Sequence, residues 1–257
     1  EESTYTPALS LKTGMDQPLV PSESTEPFDV EEIAAALEPG GDFSRFFKEY
    51  EFRSQQVGML RAVADAFANQ RHLLVEAGTG TGKSMAYLLP AFAWAEHSGH
   101  RVVISTNTIN LQEQLIFKDI PDVNKALGSS YRAAVLKGRS NYLCPLRLTA
   151  ALRLGPRSSD DMEVLAKILV WLASGGSGDR SEINLIGPAQ SAAWSRLSAE
   201  YDNCWPDRCP FHARDACPYF MARRRAENAH MVVINHALLM ADISTGSRVV
   251  PEYDHLI

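Results

Sequence analysis

No stretch of this 257-residue chain comes near the roughly 18 consecutive apolar residues that crossing a membrane requires. No basic-then-apolar secretion signal opens it either, so membrane and exported classes are set aside in favour of a cytoplasmic protein. Cysteine is scarce, with four residues, which excludes a disulfide-built scaffold. There is no internal repeat and no collagenous or low-complexity bias. Hydrophobic residues at 45% and charged residues at 22% are ordinary for a globular chain. A length of 257 residues suits one large α/β domain or two smaller ones. The sequence begins without methionine and stops inside an apolar run, so a piece of a longer protein is expected.

Charge is unevenly distributed. The net charge is −6, yet residues 1–51 alone carry −9 and the remainder +3. Between Arg132 and Arg157 there is no acid at all, while Lys137, Arg139, Arg147 and Arg153 add to the bases. The local field decides which partners a surface attracts, so this stretch is compatible with nucleic acid, though a solvated face would look the same.

Residues 1–28 are rich in Ser, Thr, Pro and Glu without apolar periodicity, the pattern of a linker or tail. Asp29 can cap a short helix through Leu37, and Val57, Leu60, Val63, Ala64 and Phe67 follow a helical period over 54–69. Strands are expected at His72–Ala77, Arg101–Ser105, Tyr131–Leu136 and Met231–Ile234, with a last one starting near Tyr253. Helices are expected at Lys83–His97, about 110–117 and Ala237–Ile243. Residues 142–228 lose this alternation and look helical. The expected fold is therefore α/β, a parallel sheet with helices on both faces, interrupted by a mainly helical insertion. The expected boundaries are 29–140, 141–222 for the insertion, and 223–257.

The segment Ala77-Gly78-Thr79-Gly80-Thr81-Gly82-Lys83-Ser84 has the spacing of a phosphate-binding P-loop, with Ala in place of the first glycine. Glycines let backbone N–H groups turn inward onto phosphate oxygens, and the following helix adds partial positive charge. Lys83 would reach the β- and γ-phosphates of ATP, and the Ser84 hydroxyl would ligate Mg²⁺. Downstream, Thr106, Asn107 and Thr108 leave the second strand ahead of Gln112. Hydroxyl and amide groups at a strand's end suit a nucleic-acid backbone. They equally suit capping of the next helix and a solvated helix face.

The four cysteines, Cys144, Cys204, Cys209 and Cys217, fall in or beside the helical insertion, and three precede proline directly. Their spacing is not the paired C-x2-C of a zinc ribbon. Three readings stand: a 4Fe–4S cluster, a zinc site with His212 as a spare ligand, or buried thiols without metal. Around them lie Arg208, Arg214 and Arg223–Arg225, interleaved with Tyr142, Trp205, Phe211, Tyr219 and Phe220, a composition suited to single-stranded nucleic acid.

Taken together, Arg53 and Gln56, EAGTGTGKS at 76–84, ISTNTINLQEQL at 104–115, the four cysteines and AHMVVINHALL at 229–239 resemble the DinG-type, XPD-like branch of superfamily 2 iron–sulfur DNA helicases. The resemblance covers about residues 29–257 and implies a RecA-like P-loop NTPase fold, the N-terminal portion of a helicase region. It implies an ATP-hydrolysing enzyme moving 5′→3′ on single-stranded DNA and opening duplex or forked DNA as a monomer in repair or replication. Arg53 and Gln56 would lie at the adenine side, Thr106, Asn107, Thr108 and Gln112 at DNA, and the cysteines on a 4Fe–4S cluster. It further implies an acidic D-E-A-H box directly after Tyr253–Ile257 and a second motor domain, neither of which the sequence contains. Asp254 is not the catalytic acid. In some bacterial relatives an exonuclease domain lies upstream, to which 1–28 would be the joint. The competing possibility is a metal-stabilised nucleic-acid-binding or redox-sensing P-loop protein without helicase activity.

Overall fold

The computed structural model describes residues 19–21, 28–200, 204–246 and 249–257. The expected tail over 1–28 lies almost wholly outside the described residues. In chain order the helices and strands are α1 (Val30–Ala35), α2 (Asp42–Phe46), α3 (Ser54–Ala68), α4 (Lys83–Ser98), β1 (Val102–Thr106) and α5 (Ile109–Gln114). A π turn, Leu115–Asp119, leads into α6 (Ile120–Leu127), followed by β2 (Ala133–Val135). Then come α7 (Pro145–Leu154), α8 (Ser159–Ala173), α9 (Gly187–Leu197), α10 (Pro210–Ala213) and α11 (Pro218–Glu227). The chain closes with β3 (Met231–Asn235), α12 (His236–Ser244) and β4 (His255–Leu256). Two compact units result: residues 17–136 with 225–257, and residues 137–224 as part of the other.

The first unit is built on a four-stranded, wholly parallel sheet in the order β2-β3-β1-β4. Val102 pairs with Met231 and Thr106 with Asn235, so β1 and β3 end level with each other. Val102, Ile104, Met231 and Val233 join the core formed with Leu60, Leu88 and Phe92. Their alternate neighbours Val103, Val232 and Ile234 are also buried, so the sheet is covered on both faces, which explains why these strands are apolar up to their polar ends at Ser105 and Asn235. The helix ends follow the side chains. Asp29 Oδ1 accepts from the Glu31 and Glu32 amides to open α1, and Gly99 closes α4 in the left-handed region.

One expected strand does not form. His72–Ala77 forms no strand, and Leu74 is 99% exposed. A strand exists only by hydrogen-bonding to a neighbour, and among the described residues no backbone bond reaches this segment. Between it and β4, which forms one edge of the sheet, lies a cavity of about 630 Å³ lined by Phe67, Leu73, Tyr253 and His255.

The second unit has its own core, in which Leu143, Leu148, Val164, Ile168 and Trp194 join α7, α8 and α9. A buried ion pair braces it. Lys137 Nζ meets Asp179 at 2.8 Å and the Ser181 hydroxyl at 2.9 Å, which satisfies the ammonium away from water. No helix among the described residues is long and apolar enough to cross a membrane.

Candidate functional site

Three groups of sequence-predicted residues can be traced. The first is the loop 77–84. Gly80 and Gly82 both take φ of +80°, a conformation side chains resist, which is why glycine stands there. The Lys83 ammonium folds back and donates to the carbonyls of Ala77 at 3.0 Å and Gly78 at 2.6 Å. Thr81 Oγ1 donates to Gly78 O at 3.0 Å, while Thr79 lies in the exposed crest of the loop. Ser84 stands in the first turn of α4.

Two residues of the preceding helix region clasp this loop. The Arg53 guanidinium donates to the Gly80 carbonyl, and Gln56 Nε2 donates to the Gly82 carbonyl at 2.9 Å. Beside them opens a cavity of about 580 Å³ lined by Phe43, Phe47, Tyr50, Arg53, Gln56 and Met85. Burial pushes the Tyr50 phenol above its usual range, and its hydroxyl donates to the Leu37 carbonyl at 2.6 Å.

The second group stands where β1 and β3 end, the edge of a parallel sheet at which ligands gather. Asn107 and Thr108 are exposed, whereas Thr106 is buried and donates to the Thr108 carbonyl at 3.1 Å. Thr108 Oγ1 accepts from the Leu111 amide at 3.2 Å and so caps α5. Gln112, expected on an accessible face, is fully buried, and neither amide atom finds a partner among the described residues. A side chain there cannot touch a surface ligand without leaving the core. Sequence reading passed over His236, whose Nδ1 stands 2.7 Å from the Ser105 hydroxyl at the same edge. Its position one residue past a strand and at the start of a helix was the available signal.

The third group is in the second unit. Cys144, Cys204, Cys209 and Cys217 all line one cavity of about 200 Å³, walled by Trp205, Phe211, Tyr219 and Phe220. All four are free thiols. Proline after Cys144, Cys209 and Cys217 opens α7, α10 and α11, since its fixed φ suits the first helical position. Burial raises the Cys144 thiol and pushes Cys217 up to about 11, while backbone N–H groups of the following turn oppose the shift at both. Among the described residues no three His, Cys, Asp or Glu side chains are grouped tightly enough for a single metal ion. His212 packs edge-on against Phe220 at 4.4 Å and is not part of the cavity wall.

The basic and aromatic residues divide between structural and exposed roles. Lys137, Arg139 and Arg147 are engaged internally, Arg139 over the Tyr219 ring at 4.7 Å and Arg147 on the Ser198 carbonyl at 2.9 Å. Arg153, Arg157, Arg208 and Arg214 are exposed. Tyr142 and Tyr219 are core residues, at 4% and 1% exposure, and offer no face for base stacking, whereas Trp205 is 66% exposed.

Residues 59–143 match the model of the DEAD/DEAH box helicase family. The chain is 36% identical over 214 residues to the ATP-dependent DNA helicase YoaA of Haemophilus influenzae, covering 83% of this chain and 32% of that protein. It is 37% identical over 225 residues to the ATP-dependent helicase DinG of Mycobacterium tuberculosis, covering 80% and 33% respectively. It is 36% identical over 225 residues to the 3′-5′ exonuclease DinG of Bacillus subtilis, covering 88% and 24%. The chain thus spans a quarter to a third of the length of these relatives.

Proposed function

Because this chain belongs to the DinG/YoaA family of ATP-dependent DNA helicases, we propose that it supplies the ATP-phosphate half of a DNA-driven motor together with its cluster-bearing unit. The observation that carries this reading is the clasped phosphate loop. Gly80 and Gly82 hold it open, Arg53 and Gln56 fix it from α3, and Lys83 waits on carbonyls that a phosphate would replace. ATP would place its phosphates in the loop and its adenine in the cavity beside Tyr50, Arg53 and Gln56. Lys83 then neutralises charge on the transferring phosphoryl group. Ser84 would hold Mg²⁺, which would supply charge stabilisation to the phosphates.

Single-stranded DNA would meet the sheet edge of the first unit at Asn107 and Thr108. Thr106 and Gln112 would act from beneath this surface. In the second unit, Trp205 and the exposed arginines have the chemistry for base stacking and backbone contact. Translocation 5′→3′, duplex or forked DNA as substrate, a monomeric state and a cytoplasmic setting in repair or replication belong to the same proposal. So do an acidic box and a second motor domain beyond Ile257.

The four thiols would hold a 4Fe–4S cluster. They line one cavity, and a cluster of four irons takes one thiolate on each. The cluster supplies rigid cross-linking of α7, α10 and α11. The alternative, a metal-stabilised binding or sensing module without motor activity, leaves the clasped loop without a purpose.

The test is ATP-driven opening of a forked DNA duplex by the full-length protein. Lys83→Ala should abolish it, and unchanged opening by that variant would sink the assignment.

A further inference from the structure

Nothing in the nucleotide chemistry uses the segment AHMVVINHALL at 229–239. It forms β3 and opens α12, and β3 ends level with β1. The register pairs Ser105 with Ile234 and Thr106 with Asn235. His236 therefore leaves the sheet where Asn107 does, one residue past the last pair. It is exposed, at the first position of α12. Capping of that helix falls to its neighbour, since Asn235 Oδ1 accepts from the Leu238 amide at 2.8 Å.

The His236 ring is held. Its Nδ1 stands 2.7 Å from the Ser105 hydroxyl, across the two adjacent strands. The ladder already joins β1 to β3 as far as Thr106 and Asn235, so this bond is not needed to keep them together. A hydrogen bond within reach of water also adds little to stability. What it fixes is the direction of the ring and the place of its proton. Among the described residues the Ser105 hydroxyl has no other acceptor, so it gives its proton to Nδ1. The neutral ring then carries its own proton on Nε2. When the ring gains a second proton, Nδ1–H donates to the hydroxyl oxygen and Nε2–H remains. Nε2 is thus a donor in both charge states, and among the described residues it has no partner.

The neighbouring groups decide which acceptor suits this donor. Thr108 Oγ1 accepts from the Leu111 amide, which leaves its hydroxyl proton to be given outward. Asn107 is exposed beside it and brings an amide N–H₂. Three donors therefore stand at the level where β1 and β3 end. A nucleic-acid backbone, whose phosphate oxygens accept and never donate, matches all three.

We propose that His236 is a nucleic-acid contact, its Nε2–H donating to a backbone phosphate of a single strand lying at Asn107 and Thr108. Ser105 is its positioning residue, touching no ligand and holding the ring and its proton in place. Both roles rest on the reading of this edge as the nucleic-acid path.

The experiment is binding of a fluorescein-labelled oligothymidylate to the full-length protein, followed by anisotropy. It compares the wild type with Asn107→Ala, His236→Ala, His236→Gln, Ser105→Ala and the Ser105→Ala/His236→Ala pair. None of these changes removes a ladder bond or the Asn235 cap. His236→Ala is expected to weaken binding about three- to tenfold, what one hydrogen bond contributes. His236→Gln carries an N–H at the reach of Nε2 and should bind at least about twofold more tightly than His236→Ala. Ser105→Ala should weaken binding about two- to fivefold, with no further loss once His236 is alanine, because it acts only through the ring. An equal loss in both backgrounds would overturn the positioning role of Ser105. Unchanged binding by His236→Ala, beside an Asn107→Ala protein that binds more weakly, would overturn the contact and leave the edge as the path. Unchanged binding by both, or a wild type that ignores oligothymidylate, would overturn the reading of the edge and the contact with it.

Discussion

Gln56 Nε2 donates to the Gly82 carbonyl at 2.9 Å, and a Cβ placed on Gly82 would stand 2.1 Å from that same nitrogen. A side chain at the last glycine would therefore have to displace the amide that ties α3 to the phosphate loop. Gly82→Ala meets two penalties, the clash and a φ of +80° that costs an alanine about 1–2 kcal/mol. It should weaken binding of a non-hydrolysable ATP analogue about tenfold or more by titration calorimetry. Adding Gln56→Ala should recover the part due to the clash. Equal affinity of Gly82→Ala and wild type would show that the loop is not held this way.

Lys83 rests on the Ala77 and Gly78 carbonyls at 3.0 and 2.6 Å, so nucleotide exchanges two neutral acceptors for charged ones. Lys83→Met keeps the stem and removes the charge. Turnover by the full-length protein should fall about 10²–10³-fold, the usual loss of one transition-state donor. A loss below about threefold would assign Lys83 to loop packing alone.

His230 gives the first unit a pH dependence. Its Nδ1 accepts from the Arg132 amide at 3.0 Å, which requires the neutral ring. Burial, and then the Arg132 charge, lowers its pKa below the ordinary 6.5. The unfolded chain therefore binds the proton more readily than the folded one. Stability is fully present above the unfolded value near 6.5 and is lost as pH falls from there through the lower folded value. Melting temperature should drop between pH 7 and about 5, and His230→Asn, which keeps an acceptor but cannot titrate, should flatten that slope. An unchanged slope would exclude His230 as its source.

The four thiols predict a composition. Anaerobically purified protein should contain about four irons and four acid-labile sulfides per chain, falling sharply in Cys209→Ser. Removing the iron should unfold residues 137–224 and leave the sheet unit's melting in place, because the two units have separate cores. About one zinc without sulfide would replace the cluster by a structural zinc.

What the sequence revealed follows from how local each signal is. The helix expected over Lys83–His97 is α4 to within one residue, and it is bounded by Gly82 and Gly99, whose left-handed backbones punctuate it. β1 and β3 were readable because both faces are covered and Val102–Ile104 and Met231–Ile234 are apolar throughout. His72–Ala77 carries the apolar run Leu73–Val75, but a strand also needs a partner, and composition does not record whether one is present. Gln112 sits within regular α5, and its burial is set by what that helix packs against, which an amide side chain in a short helix does not announce. In the same way Tyr142 and Tyr219 have the composition of a stacking surface and the burial of a core.

The most direct measurement is ATP hydrolysis by the full-length protein as single-stranded DNA is titrated in, beside Lys83→Ala. A motor of this kind should show turnover rising about tenfold or more to saturation in the wild type, with the variant flat throughout. Wild-type turnover that ignores DNA, or a Lys83→Ala protein that is stimulated equally, would contradict the assignment of this loop to a DNA-driven motor.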